Sequence, residues 1–120
     1  MSIKRNATSV LPVEVGIPVD DIQSMEFLFK KEKNPKSPEL LKKKYQKDEI
    51  EIAEGSSNEN GFTMWMKLKP KETFCLTAGK VYMDTQVVLT DGTLPQIPIV
   101  PIDDILETLF EEVYGDDGKG

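Results

Sequence analysis

Lys80-Val81-Tyr82-Met83-Asp84-Thr85-Gln86-Val87-Val88-Leu89-Thr90-Asp91-Gly92 is the stretch that decides the fold. Val81, Met83, Thr85, Val87 and Leu89 alternate with Tyr82, Asp84, Gln86, Val88 and Thr90, the period-two signature of a strand with one buried face. Asp91-Gly92 ends it as a turn, because Gly accepts positive φ and Asp can bond its own backbone. The segment Ile97 to Ile102 is therefore expected to pair back. Pro95, Pro98 and Pro101 remove ladder donors, so this partner is expected at a sheet edge or on a polyproline-like path and not in a central position.

Upstream, Phe62, Met64, Met66 and Leu68 alternate with Thr63, Trp65 and Lys67, and Asn58-Glu59-Asn60-Gly61 before them reads as a turn. In Ser24 to Lys31, Met25, Phe27 and Phe29 share one face. Ile50 and Ile52 mark a short strand, Phe74 and Leu76 another, and Val10 to Val19 a further one that Pro12, Gly16 and Pro18 confine to an edge. Six to eight short strands separated by turn signals predict an all-β, antiparallel β-sandwich. One short helix is expected as an insertion at about 37–46, where Ser37, Pro38 and Glu39 supply an N-cap, a first-turn proline and a first-turn acid. Residues 105–113 fit a helix, with Ile105, Leu106, Leu109, Phe110 and Val113 spaced by three and four, or a last strand. The expected organisation is a single domain over 1–114 followed by a flexible acidic tail, 115–120.

The 120 residues carry 15 Lys plus Arg, 21 Asp plus Glu, no His and one Cys. Lack of His excludes Ser-His-Asp and Cys-His catalysis and every His-containing zinc or iron site. A lone Cys75 excludes intramolecular disulfides and cysteine-cluster metals; between Phe74 and Leu76 it is expected to be an inert thiol, packed or half-packed. No phosphate-binding Gly loop, G-x-S-x-G or S-x-x-K is present, and nothing marks a sugar cleft flanked by paired carboxylates. The reading is a non-enzyme with no cofactor and no metal. Ile17-Pro18-Val19-Asp20-Asp21-Ile22 is echoed by Val100-Pro101-Ile102-Asp103-Asp104-Ile105. Turn chemistry accounts for both Asp pairs better than calcium does, since no D-x-D-x-D-G loop surrounds them. The N-terminus has no signal-type apolar run and no stretch suits a membrane span, so synthesis and retention in a cytoplasm are expected.

Charge is segregated. Residues 30–47 hold eight Lys against two Glu, net +6, and residues 91–120 hold eight acids against one Lys, net −7. Complementary poles of this kind suit docking on a neighbour or on another copy, with Lys42, Lys43 and Lys44 facing Glu111 and Glu112 as interface candidates; the bland alternative is two solvated faces. Nucleic-acid binding is not expected of an acidic chain whose lysines have no interleaved stacking aromatics. Trp65 should point outward if its neighbours face the core, and Tyr82, on the comparable face of its own strand, is expected to extend the same patch.

The run from Lys80 to Gly92, with Pro95, Ile99-Val100 and Leu109-Phe110-Glu111-Glu112, resembles the small tail-associated proteins of siphophages of Gram-positive bacteria such as Bacillus. Met25-Glu26-Phe27-Leu28-Phe29-Lys30-Lys31 fits the same resemblance, which covers most of residues 15–114. The resemblance implies a β-sandwich similar to the shoulder domain of lactococcal phage receptor-binding proteins. It also implies a structural or accessory role at the tail or baseplate, in contact with other tail or baseplate proteins. It carries over no binding residue, because shoulder domains position a separate head. The expected locations are the host cytoplasm at synthesis and the virion tail. Two alternatives belong to other classes: a non-structural phage factor that binds a host protein, and a carbohydrate-binding module using Trp65 and Tyr82.

Overall fold

The computed structural model describes residues 3–113. In chain order the elements are β1 (Ile3–Lys4), β2 (Ser9–Val15), β3 (Ile22–Lys30), β4 (Glu39–Gln46), β5 (Phe62–Leu68), α1 (Pro70–Phe74), β6 (Gly79–Leu89) and β7 (Val100–Leu106), with one-turn 3₁₀ helices at Val19–Asp21 and Lys47–Glu49. A five-stranded sheet in the order β1-β7-β6-β3-β4 faces a two-stranded sheet, β2-β5. The two sheets form a β-sandwich.

The alternating rows build its core. Met25, Phe27 and Phe29 of β3 and Val81, Met83 and Val87 of β6 meet Leu11, Val13 and Val15 of β2 and Phe62, Met64, Met66 and Leu68 of β5. Ile3, Ile105 and Leu76 are buried with them. Full burial of each such side chain contributes about 1.5–3 kcal/mol, and this row-on-row contact selects the register: a one-residue slip would turn a whole row to solvent.

β6 pairs with β3 along nearly its whole length, from Lys30↔Tyr82 to Ile22↔Leu89. The Asp91-Gly92 turn forms as expected. Gly92 sits at φ +86°, and the Asp91 carboxylate accepts from the Thr93 backbone N–H (3.0 Å) and hydroxyl (2.7 Å). Pairing with β6 resumes later than expected, at Val100, and Leu94 to Ile99 cross as irregular chain. β7 is the penultimate strand, yet β1 pairs with it only at Ile105 and Leu106, so Pro101 keeps the unpaired side its missing N–H requires. Opposite Lys80, β7 carries a bulge at Asp103 and Asp104, with Asp104 at φ +61°, a conformation Asp tolerates better than most residues. The echoed Asp20-Asp21 lies instead in a 3₁₀ turn, so β2 stops at Val15 and not at Val19. Among the described residues no His, Cys, Asp and Glu groups are arranged to hold a metal ion.

Four expected elements come out differently. The helix at 37–46 is a strand, β4, pairing with β3 from Ser24↔Gln46 to Lys30↔Glu39. The unpaired flank of β3 wins over the local start signal at Ser37-Pro38-Glu39, because pairing there also lays Tyr45 edge-on against Phe27, 5.8 Å between centroids at 80°. The strand at Phe74 and Leu76 is the end of α1 and its exit. Pro70 occupies the first turn, and the Glu72 carboxylate accepts from the Lys69 backbone N–H at 2.8 Å, half of a capping box. Of residues 105–113, Ile105 and Leu106 complete β7 and the remainder has no regular structure. Ile50 and Ile52 form no full strand. Ile52 makes a single bridge to Met64, while Ala53 donates to Thr63 O and Trp65 to Glu51 O, each at 2.8 Å, which covers part of the free flank of β5. The expected tail at 115–120 lies outside the described residues.

Candidate interaction surfaces

β4 is an edge strand carrying three consecutive lysines, and its pleat separates them. Lys42 and Lys44 point to the outer face of the sheet; Lys42 lies 3.9 Å from Glu26 and 3.8 Å from Glu39. Lys43 points inward with Leu41 and Tyr45. Its ammonium donates to the Glu72 carboxylate of α1 at 2.7 Å, with both side chains more than four-fifths buried, and lies 5.9 Å from the Tyr45 ring centre. An inward charge on an edge strand deters a stray chain from pairing there. Burial, then the Glu72 and Glu49 carboxylates, push the Tyr45 phenol above its usual value of 10.0.

The acidic segment sits at the other edge of the same sheet. After β7, Glu107 pairs with Arg5, and the Asn6 side-chain amide donates to Glu112 O at 2.8 Å. Arg5 also donates to Phe74 O at 2.8 Å and lies 4.7 Å from the Phe74 ring centre, so α1 braces this corner too. The Thr108 backbone N–H, and then Arg5, hold the Glu107 carboxyl below its usual range. Between these two tethers, Leu109 and Phe110 are 98% and 73% exposed. Glu111 and Glu112 are exposed beside them. The strand order β1-β7-β6-β3-β4 thus sets Lys42 and Lys44 and the segment Glu107 to Glu112 at opposite edges.

Trp65 points outward, as expected, and is 37% exposed. It stands opposite Pro12 in the ladder, with exposed Val10 two residues along. Tyr82 does not extend this patch. Its neighbours Val81 and Met83 face the core from the five-stranded sheet, whereas Met64 and Met66, beside Trp65, face it from the two-stranded sheet. The two rings therefore lie on opposite outer faces of the sandwich and cannot form one sugar platform. Tyr82 instead lines a cleft of about 240 Å³ with Leu28, Ile99, Lys30 and Lys33, and Glu32 and Asp84 add acids to its rim. Lys33 lies 5.9 Å from the Tyr82 ring centre. Cys75 is exposed, which corrects the expectation of a packed or half-packed thiol, because α1 turns it outward.

Leu109, Phe110, Leu28 and Ile99 were missed as surface features by sequence reasoning. The signal available for the first two was an apolar pair flanked by acids with no partner of matching period; the cleft residues come from separate segments and gave none.

No family model matches the chain and no curated protein matches it. One solved structure, the extracellular portion of mouse CD200RLa, is similar at 11% identity over 89% of this chain and 54% of that one, with a TM-score of 0.33. The chain thus spans about half the length of that structure.

Proposed function

We propose that this protein is a phage tail or baseplate adaptor that works through protein–protein contacts, self-association among them, and not through catalysis. The sequence resemblance supports the tail assignment. The observation that carries the mode of action is the opposition of charge across one sheet, with Lys44, beside the Glu-paired Lys42, on the open β4 edge and Glu111 and Glu112 past the far edge, next to the Arg5-paired Glu107. Complementary potentials of this kind steer encounter and fix register. A head-to-tail contact between such edges is heterologous, so it closes into a ring or continues as a filament. Trp65, Pro12 and Val10 on the outer face of the small sheet offer a separate apolar contact for a different tail protein. Host cytoplasm at synthesis and the virion thereafter are the locations this role requires.

Mass spectrometry of purified virions tests the role: several copies per particle are expected. Abundance in infected cells with none in particles would replace it with the host-protein-binding reading. Static light scattering at low and high salt tests the mode of action, with mass expected to fall as salt screens the two poles.

A further inference from the structure

We infer that Phe110 of one copy inserts into the cleft formed by Leu28, Tyr82 and Ile99 of a second copy, with Glu111 and Glu112 meeting Lys30 and Lys33 at its rim. This deepens the self-association reading and rests on it. Leu109 and Phe110 are an adjacent apolar pair at 98% and 73% exposure, and aromatic side chains are favoured anchors at the centre of interfaces. The segment carrying them is held at the β1 edge on both sides, by the Arg5–Glu107 pair and by the Asn6–Glu112 bond. The anchor is thereby presented outward at little further cost in chain entropy. The cleft opens over β3 and β6, and its own copy's segment does not fill it. Its volume, about 240 Å³, is below the roughly 300–1,000 Å³ of small-molecule pockets and suits a single aromatic side chain. Two acids follow Phe110 directly; at the cleft Lys30, whose ammonium also donates to Pro35 O at 2.7 Å, and Lys33 stand against Glu32 and Asp84, and exposed Lys31 and Lys36 in the same loop make the surroundings net positive. Lys33, already over the Tyr82 ring, would lie close to an inserted phenyl ring as well.

Sedimentation velocity of the full chain over a concentration series tests this with three preparations. Phe110→Ala is expected to weaken self-association at least about tenfold while leaving the circular-dichroism spectrum unchanged, since the side chain is exposed. Tyr82→Ala should do the same; Lys30→Glu with Lys33→Glu replaces it if Tyr82→Ala perturbs the fold. Mixing the Phe110→Ala and Tyr82→Ala chains should restore a dimer and no larger species, because one anchor and one cleft remain intact. Wild type that associates equally well with or without Phe110 overturns the insertion and leaves the self-association reading standing. Wild type that is monomeric at every concentration overturns both. A monomer in which Phe110→Ala alters only the Tyr82 environment shows insertion into the same copy's cleft and likewise overturns the proposal.

Discussion

Replacing Lys43 with Met and Glu72 with Gln, singly and together, probes how β4 is locked to the rest of the sandwich. The ion pair is 2.7 Å long, with 18% and 17% of the two side chains exposed. Exposed pairs contribute about 0–1 kcal/mol, and breaking a fully buried pair costs about 3–5 kcal/mol. At this burial each single change is expected to cost about 1.5–2.5 kcal/mol, because it strands one charge against the inner face of β4. Glu72→Gln retains an acceptor for the Lys69 N–H, since Gln also serves in a capping box, so its cost isolates the charge. The double change should cost less than the two singles combined, with a coupling of about 1–2 kcal/mol, because no stranded charge remains. Urea unfolding followed by tryptophan fluorescence reads this out. With a slope of about 1–3 kcal/mol/M, a loss of 2 kcal/mol moves the midpoint by roughly 1 M. Single variants within about 0.5 kcal/mol of wild type, with an additive double, would refute the reasoning and make the pair a solvated one.

Gly61→Ala should destabilise the fold by about 2–4 kcal/mol in the same assay, because Gly61 sits at φ +140° and a Cβ there would lie 2.1 Å from Val15 O. Thr73→Val should cost about 1–3 kcal/mol: the buried hydroxyl donates to Ala7 O at 2.8 Å and accepts from the Ala7 N–H at 3.2 Å, and valine leaves both groups unpaired. In an ultraviolet pH titration, Tyr45 should ionise above the usual tyrosine range, and Glu72→Gln should bring it closer to that range. Its folded value is raised, so its contribution to stability is complete below about pH 10 and is lost as pH rises through the folded value. Tyr45→Phe should correspondingly flatten the alkaline loss of stability.

Where a strand buries one face, its own residues announced it. The alternations in β3, β5 and β6 were legible because their inward positions are apolar almost without exception, and the turns at Asn58-Gly61 and Asp91-Gly92 because Gly supplies the backbone angle they need. β4 was not legible, because one of its inward positions is Lys43, whose partner Glu72 lies 29 residues away, and that charge hides the period-two pattern. α1 carried a usable signal, Pro70 and Glu72 after Lys69, but the neighbouring Phe74 and Leu76 imitated a strand.

The sequence by itself determined the two rows of apolar side chains that must meet, hence a sandwich, and the unequal placement of charge along the chain. Periodicity and composition are local properties, and each strand or block carries them alone. Only the tertiary structure decided which strand stands beside which. Pairing β4 against β3 and β7 against β6 puts the lysines and the acids at opposite edges, and separating β5 from β6 puts Trp65 and Tyr82 on opposite faces. Strand order depends on contacts between residues far apart in the chain, where the gain from burying both apolar faces outweighs any local preference.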